Sequence, residues 1–241
     1  MAVVNGTSRR AFLLGSVLAL PTAVVSARLF GAAEAARLAA PVIDTYVPAF
    51  FAAPEWKFVM AACDRLIPAD AEGPGALETN VPVFIDQELA GSYGRADDWY
   101  MEGPHDSKAP ADMGFQIPYA PSEIYRRGIK ATDAYTAQTH QKSFAELDAQ
   151  TRDQVLTKLQ KNEINFAEFG EPILKASAFF GFLLTNTQEG YLSDPMYGGN
   201  KGMGSWVMIG FPGARASFLE WIGQQGVKYP LGPVSLLGER A

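Results

Sequence analysis

One cysteine and two histidines are all that this 241-residue chain has of the residues that most often hold metals and clusters. Cys63, His105 and His140 stand far apart and make no closed zinc site without carboxylates. No Cys-x-x-Cys-His occurs, so the chain attaches no c-type haem, and it lacks the four cysteines of an iron–sulfur cluster. Basic charge is also short: 20 Lys and Arg face 26 Asp and Glu, a formal net charge of −6. That balance argues against a nucleic-acid partner, whose phosphates demand a basic face. Gly202-Met203-Gly204 does not continue into a dinucleotide fingerprint, and no Gly-Lys-Ser/Thr closes a P-loop. Alternating strand patterns, internal repeats and low-complexity blocks are missing too, which leaves a mostly α reading.

What is present begins with a leader. Ser8, Arg9, Arg10, Ala11, Phe12 and Leu13 precede an uncharged apolar run over residues 11–27. Paired arginines, an apolar region and then small residues form a bacterial signal of the twin-arginine kind; the bland alternative is an N-terminal amphipathic helix. The run is shorter than the roughly 20 residues of a membrane span and is interrupted by Gly, Ser and Pro. Cleavage is expected after Ala27, Ala33 or Ala35. The division is therefore 1–33 signal, 34–53 linker broken by Pro41 and Pro48, and 54–241 a single irregular helical domain with long ordered Gly/aromatic loops. With 48% hydrophobic residues the chain can bury one sizeable core. Passengers of this export route cross the membrane already folded, chiefly because they hold a cofactor. A chain with no cofactor motif of its own is then expected to travel for a loaded partner.

Helix starts are marked by proline, which the first turn tolerates. Pro54 opens a helix carrying Trp56, Val59, Met60, Cys63, Leu66 and Ile67, and Pro68 stops it. Pro82 opens a second that ends at Gly91, and Pro121 a third that runs to about His140. Ser143 and Glu146 have capping-box spacing before Leu147, Val155, Leu156 and Leu159, which fit one amphipathic helix. Pro172 begins the most apolar helix, and Gly190 ends it. A short last helix covers 217–223, and prolines extend the tail from Tyr229.

The densest feature is the stretch 194–215, where six glycines alternate with Met196, Tyr197, Met203, Trp206, Met208 and Phe211. Large apolar groups can pin a glycine-rich loop, and structureless loops of this length are uncommon and usually functional. Tyr197, Gly198, Gly199, Asn200, Trp206, Met208, Phe211 and Pro212 are the candidate partner-docking residues. A surface loop with tucked-in aromatics is the plain alternative, and Asn200-Lys201 meeting an anion a lesser one. The loop holding Trp99, Tyr100, Met101 and His105 is a second aromatic loop that could pair with the first. Asp64, Asp70 and Glu72 lack calcium-loop spacing, and Asp97-Asp98 reads as a solvated pair. Trp99, Asp97, Asn186 and Glu189 have the residue types of a sugar site, so a self-sufficient periplasmic sugar-acid-binding protein or enzyme is the rival function. Cys63 on an apolar helix face reads as a buried small hydrophobe, or else as one half of an intersubunit disulfide.

Five motifs together resemble the gluconate 2-dehydrogenase subunit 3 family. They are Leu66-Ile67-Pro68-Ala69-Asp70, Gly73-Pro74-Gly75-Ala76, Gly91-Ser92-Tyr93-Gly94, Asp194-Pro195-Met196-Tyr197-Gly198-Gly199-Asn200 and Trp206-Val207-Met208-Ile209-Gly210-Phe211-Pro212-Gly213-Ala214. The similarity runs over roughly 50–238. It implies a mostly helical, non-catalytic small subunit of a membrane-bound sugar-acid dehydrogenase. The implied partners are an FAD-carrying flavoprotein and a multihaem cytochrome c that passes electrons to quinone. FAD and haem c would then reside in the partners and no cofactor in this chain. The complex would sit in the periplasm on the inner membrane, with the leader serving a flavoprotein that lacks one. The family transfers no catalytic, cofactor-binding or metal residue to this chain. Residues 105–115 depart most from its pattern and leave the substrate of the complex unspecified.

Overall fold

Proline and glutamate together start the first helix, α1 (Ala53–Leu66). Pro54 occupies the turn where no amide hydrogen is needed, and Glu55 accepts the Ala52 amide at 2.8 Å. The same device opens α4 (Pro121–His140), where Glu123 takes the Ala120 amide at 3.1 Å. Between them lie α2 (Val81–Ala90) and the single turn α3 (Ser92–Arg95). After α4 come α5 (Ala149–Gln160), α6 (Ala176–Leu192) and the short α7 (Gly204–Ile209). The computed structural model describes residues 42–241 except 107 and 228, so the leader residues Ser8, Arg9, Arg10, Phe12 and Leu13 lie outside the described residues. Among the described residues the fold is mostly α and forms one domain, with isolated bridges at Gly213–Val234 and Val234–Arg240 in place of strands. None of these helices is long and apolar enough to cross a membrane.

The core gathers where α1, α4 and α6 meet. Phe58 of α1 stands 4.5 Å from the Phe144 ring and 6.1 Å from Phe179 of α6, and Phe179 lies edge-on to Tyr125 of α4 at 6.0 Å. All four are buried, and each contributes about 1.5–3 kcal/mol by leaving water. Gly128 lets α4 approach α6, since a Cβ there would stand 2.2 Å from the Phe179 ring.

Residues 46–51 are drawn onto α2 by one buried carboxylate. Asp86 accepts the Tyr46 hydroxyl and the Ala49 amide at 2.7 Å each, and the Phe50 and Phe51 amides at 3.0 Å each. Four donors offset the cost of removing that charge from water.

Four sequence expectations change. The Ser143–Glu146 box is formed, but it closes a 3-10 turn (Phe144–Glu146), and Asp148 caps α5 afresh through the Thr151 amide at 2.9 Å. Asp133 holds that turn by accepting the Phe144 amide, which makes two elements of the expected single helix. The apolar helix starts at Ala176, not Pro172, because Glu171 takes the Ile173 and Leu174 amides into a turn. It also runs through Gly190 to Leu192: that glycine is where Phe84 packs, 2.7 Å from any added Cβ. Lastly, 217–223 holds one 3-10 turn (Leu219–Trp221) where a helix was expected.

Candidate docking site

The glycine-rich stretch folds back over the end of α6 as a hook. Asp194 starts it by accepting the Met196 amide at 3.1 Å, which caps the 3-10 turn Pro195–Tyr197. Gly198 follows with φ 91, in the left-handed region, and Gln87 of α2 lies so close that a Cβ would stand 2.5 Å from its side-chain oxygen. Asn200 then pins the hook from inside: its amide donates to the Ser193 carbonyl at 2.9 Å, and its oxygen accepts the Ser205 amide at 3.1 Å and hydroxyl at 2.6 Å. A second 3-10 turn (Lys201–Met203) leads into α7. The stretch read as irregular therefore contains regular turns and a short helix.

The motifs quoted from the sequence meet one another here. Tyr191 donates its hydroxyl to the Pro74 carbonyl at 2.7 Å, Lys201 its amide to the Thr79 carbonyl at 3.1 Å, and Gly204 lies against the Pro74 ring. Residues 66–79 are thus the bed on which the hook rests.

Having barely two turns, α7 presents one face inward and one outward. Ser205 and Trp206 point in; Trp206 is only 6% exposed, and its indole N–H donates to the Leu192 carbonyl at 2.8 Å. Val207 and Ile209 point out, each 56% exposed, joined by Met208, Phe211, Met196 and Tyr197. The Phe211 ring stands edge-on to Trp206 at 5.0 Å, and the Met208 sulfur rests on the Tyr191 hydroxyl at 3.6 Å. Between residues 192 and 214 the charged side chains are Asp194, which is buried, and Lys201. The outer face is apolar and nearly uncharged, the composition of the centre of a protein–protein contact.

Of the candidate docking residues, Tyr197, Met208 and Phe211 reach this face and Pro212 is half-buried. Gly198, Gly199, Asn200 and Trp206 are buried and shape the hook from inside. Val207, Ile209 and Met196 were missed. Their signal was the apolar run 206–209 closed by Gly210, since so short a helix can hide only one side. Asn200 is buried and bonded to Ser193 and Ser205, away from solvent.

The other candidates fare differently. Trp99 packs on Tyr93, Phe115 and Phe182, while Trp206 packs on Phe211, so the two aromatic loops stack on different neighbours. Trp99 and His105 line a cleft of about 370 Å³ within the 99–116 loop. Asn186 and Glu189 do meet near Trp99, through Tyr93. The Asn186 oxygen accepts the Tyr125 hydroxyl at 2.9 Å, and its amide reaches Tyr93 at 3.0 Å and Glu189 at 2.9 Å. That leaves Asn186 little capacity for a sugar hydroxyl. Burial pushes the Tyr93 hydroxyl up to about 12, with the Asn186 bond opposing and the Glu189 and Glu88 charges adding. It stays a proton donor and supplies no base at neutral pH. Asp97 is tied to Arg95 at 2.6 Å on the surface. Asp70 accepts the Glu72 and Gly73 amides as a turn cap, and among the described residues no group of three His, Cys, Asp or Glu could hold a metal ion. Cys63 is fully buried against Thr187, 3.6 Å away, so in this fold its sulfur faces the core.

A family model described as gluconate 2-dehydrogenase subunit 3 matches residues 53–213. Among curated proteins and among solved structures, none matches the chain.

Proposed function

The chain belongs to the gluconate 2-dehydrogenase subunit 3 family and is a subunit of a multi-subunit dehydrogenase, and from that premise we propose that it escorts and stabilises a flavoprotein partner. The observation behind this reading is the outer face of the hook. Val207, Ile209, Met196 and Phe211 are held out to solvent by a frame that spends Asn200, Trp206 and Ser205 on rigidity. Preformed, uncharged apolar surface of this kind suits a lasting contact between subunits. The FAD-bearing subunit would dock there, with a multihaem cytochrome c completing the complex on the periplasmic side of the inner membrane. The twin-arginine leader would carry the pair across together.

Two substitutions test the halves of this proposal. Arg9→Lys with Arg10→Lys is expected to leave the flavoprotein in the cytoplasm, and normal periplasmic dehydrogenase activity in that strain would overturn the escort role. Val207→Glu is expected to abolish recovery of flavin with the tagged chain while leaving its folding intact. Wild-type flavin recovery would remove the hook as the contact.

A further inference from the structure

A cleft of about 680 Å³ opens between α1, the 3-10 turn Phe144–Glu146 and the ends of α4 and α5 that flank it, and it shares no lining residue with the hook. Lys57 and Asp64 stand on one face of α1, two turns or ~10 Å apart along its axis. Met60 and Ala61 lie between them, and Leu77 extends this apolar strip. Asp133 of α4, Glu146 of the turn and Arg152 of α5 complete the lining. Five charges of both signs thus border one space, and among the described residues no ion pair closes between them.

The contrast lies one position away. Arg65 and Asp153, next in sequence to Asp64 and Arg152, join in a bidentate pair at 2.8 and 2.9 Å. Inside the cleft the charges are instead held by backbone. Arg152 donates to the Ala145 carbonyl at 2.6 Å, and Asp133 accepts the Phe144 amide at 2.9 Å. Burial raises the Asp133 carboxyl, with the Phe144 amide opposing and Glu146 adding. The Ser143 hydroxyl and amide hold Glu146 below the usual carboxylate range, and Lys142 and Lys57 add to this through space. Cations and carboxylates are therefore fixed near one another and left unjoined.

A hydroxyl is the group that can join such a set, because it accepts from an ammonium or guanidinium while donating to a carboxylate. We propose that this cleft binds a neutral polyol or sugar. Its hydroxyls bridge Lys57 and Arg152 to Asp64 and Asp133, and its carbon skeleton lies along Met60, Ala61 and Leu77. The volume falls within the roughly 300–1,000 Å³ of small-molecule clefts. An anion is a poorer match, since three carboxylates outnumber two cations here. So is a divalent cation, because these carboxylates do not gather into a metal-holding group. The site goes beyond the docking role and does not depend on it.

The test uses the full chain labelled with nitrogen-15, titrated with sorbitol and followed by amide shifts. Saturable shifts confined to residues 57–64, 133 and 143–152 are expected. Lys57→Gln and Asp64→Asn should each weaken binding about tenfold or more, the loss of one charged hydrogen bond, with the spectrum elsewhere unchanged. Lys142→Gln alters the charge beside Glu146 without lining the cleft and should bind as wild type. Shifts that grow linearly along the whole chain would mark sorbitol as a bulk osmolyte and overturn the proposal. Wild-type binding by either cleft variant overturns it as well. Tighter binding of gluconate than of sorbitol would reveal an anion site, with the same consequence. Since Val207→Glu tests docking through flavin recovery, either reading can fail while the other stands.

Discussion

Glu171 shows how one side chain fixes the approach of two segments. Its carboxylate is 4% exposed and accepts the Ile173 and Leu174 amides, the Tyr119 hydroxyl and, at 2.8 Å, the Arg127 guanidinium. Burial alone would raise its pKa; the Leu174 amide, Arg127 and the Ile173 amide outweigh that and hold it below the usual carboxylate range. The unfolded chain therefore binds the proton more tightly than the native state. The stabilisation is complete above the unfolded value of about 4.3 and is lost as pH falls through the folded one. Glu171→Gln should cost about 1–2 kcal/mol at pH 7, little of it from the ion pair because Arg127 is 41% exposed. Urea titrations at pH 7 and at about pH 3 should show the gap to wild type closing. Cys63 gives a second expectation: burial pushes its thiol up to about 12, with Thr187 opposing in part. It should resist a thiol-specific disulfide reagent at neutral pH until denaturant is added. Reaction at the rate of a free thiol in the native protein would mean that the core opens there. Neither role could be read in the sequence. A glutamate before a proline looks like any helix start, and a cysteine shows its neighbours only once the chain folds.

Helix starts were legible where proline marks a first turn, as at Pro54, Pro82 and Pro121. Pro172 misled because the preceding carboxylate captured the amides that would have begun the helix. Gly190 misled for a different reason. Glycine ends helices and also permits close contacts, and which use applies depends on Phe84, far away in sequence. The hook was recognised as ordered from its glycine–aromatic alternation, but its inside and outside were not separable by residue type. Trp206 looked like the contact, and it is the anchor. Trp206→Ala should therefore cost about 3–5 kcal/mol in a denaturation experiment. Ile209→Ala, on the outer face, should stay within about 0.5 kcal/mol. Reversed magnitudes would mean that α7 sits the other way round.

At the scale of the whole chain, the lack of strand periodicity was the reliable guide, since the described residues fold as a mostly α domain. The identity of the exposed face needed three-dimensional information, because it draws on residues 192–211 sorted between an inside and an outside. Hydrogen exchange offers the matching measurement. Amides of 195–211 should slow when the isolated chain enters the dehydrogenase complex, while those of α1 and α4 keep their rates. Uniform slowing throughout would indicate general stabilisation with no local footprint.

Asp86 has a mechanical corollary. Since it gathers Tyr46, Ala49, Phe50 and Phe51 at a single point on α2, tension applied from the N-terminal side is delivered to the middle of the helical assembly. The first turn of α1 is bypassed. The domain is moored by a cleat, and hauling on the line should not unpick the weave.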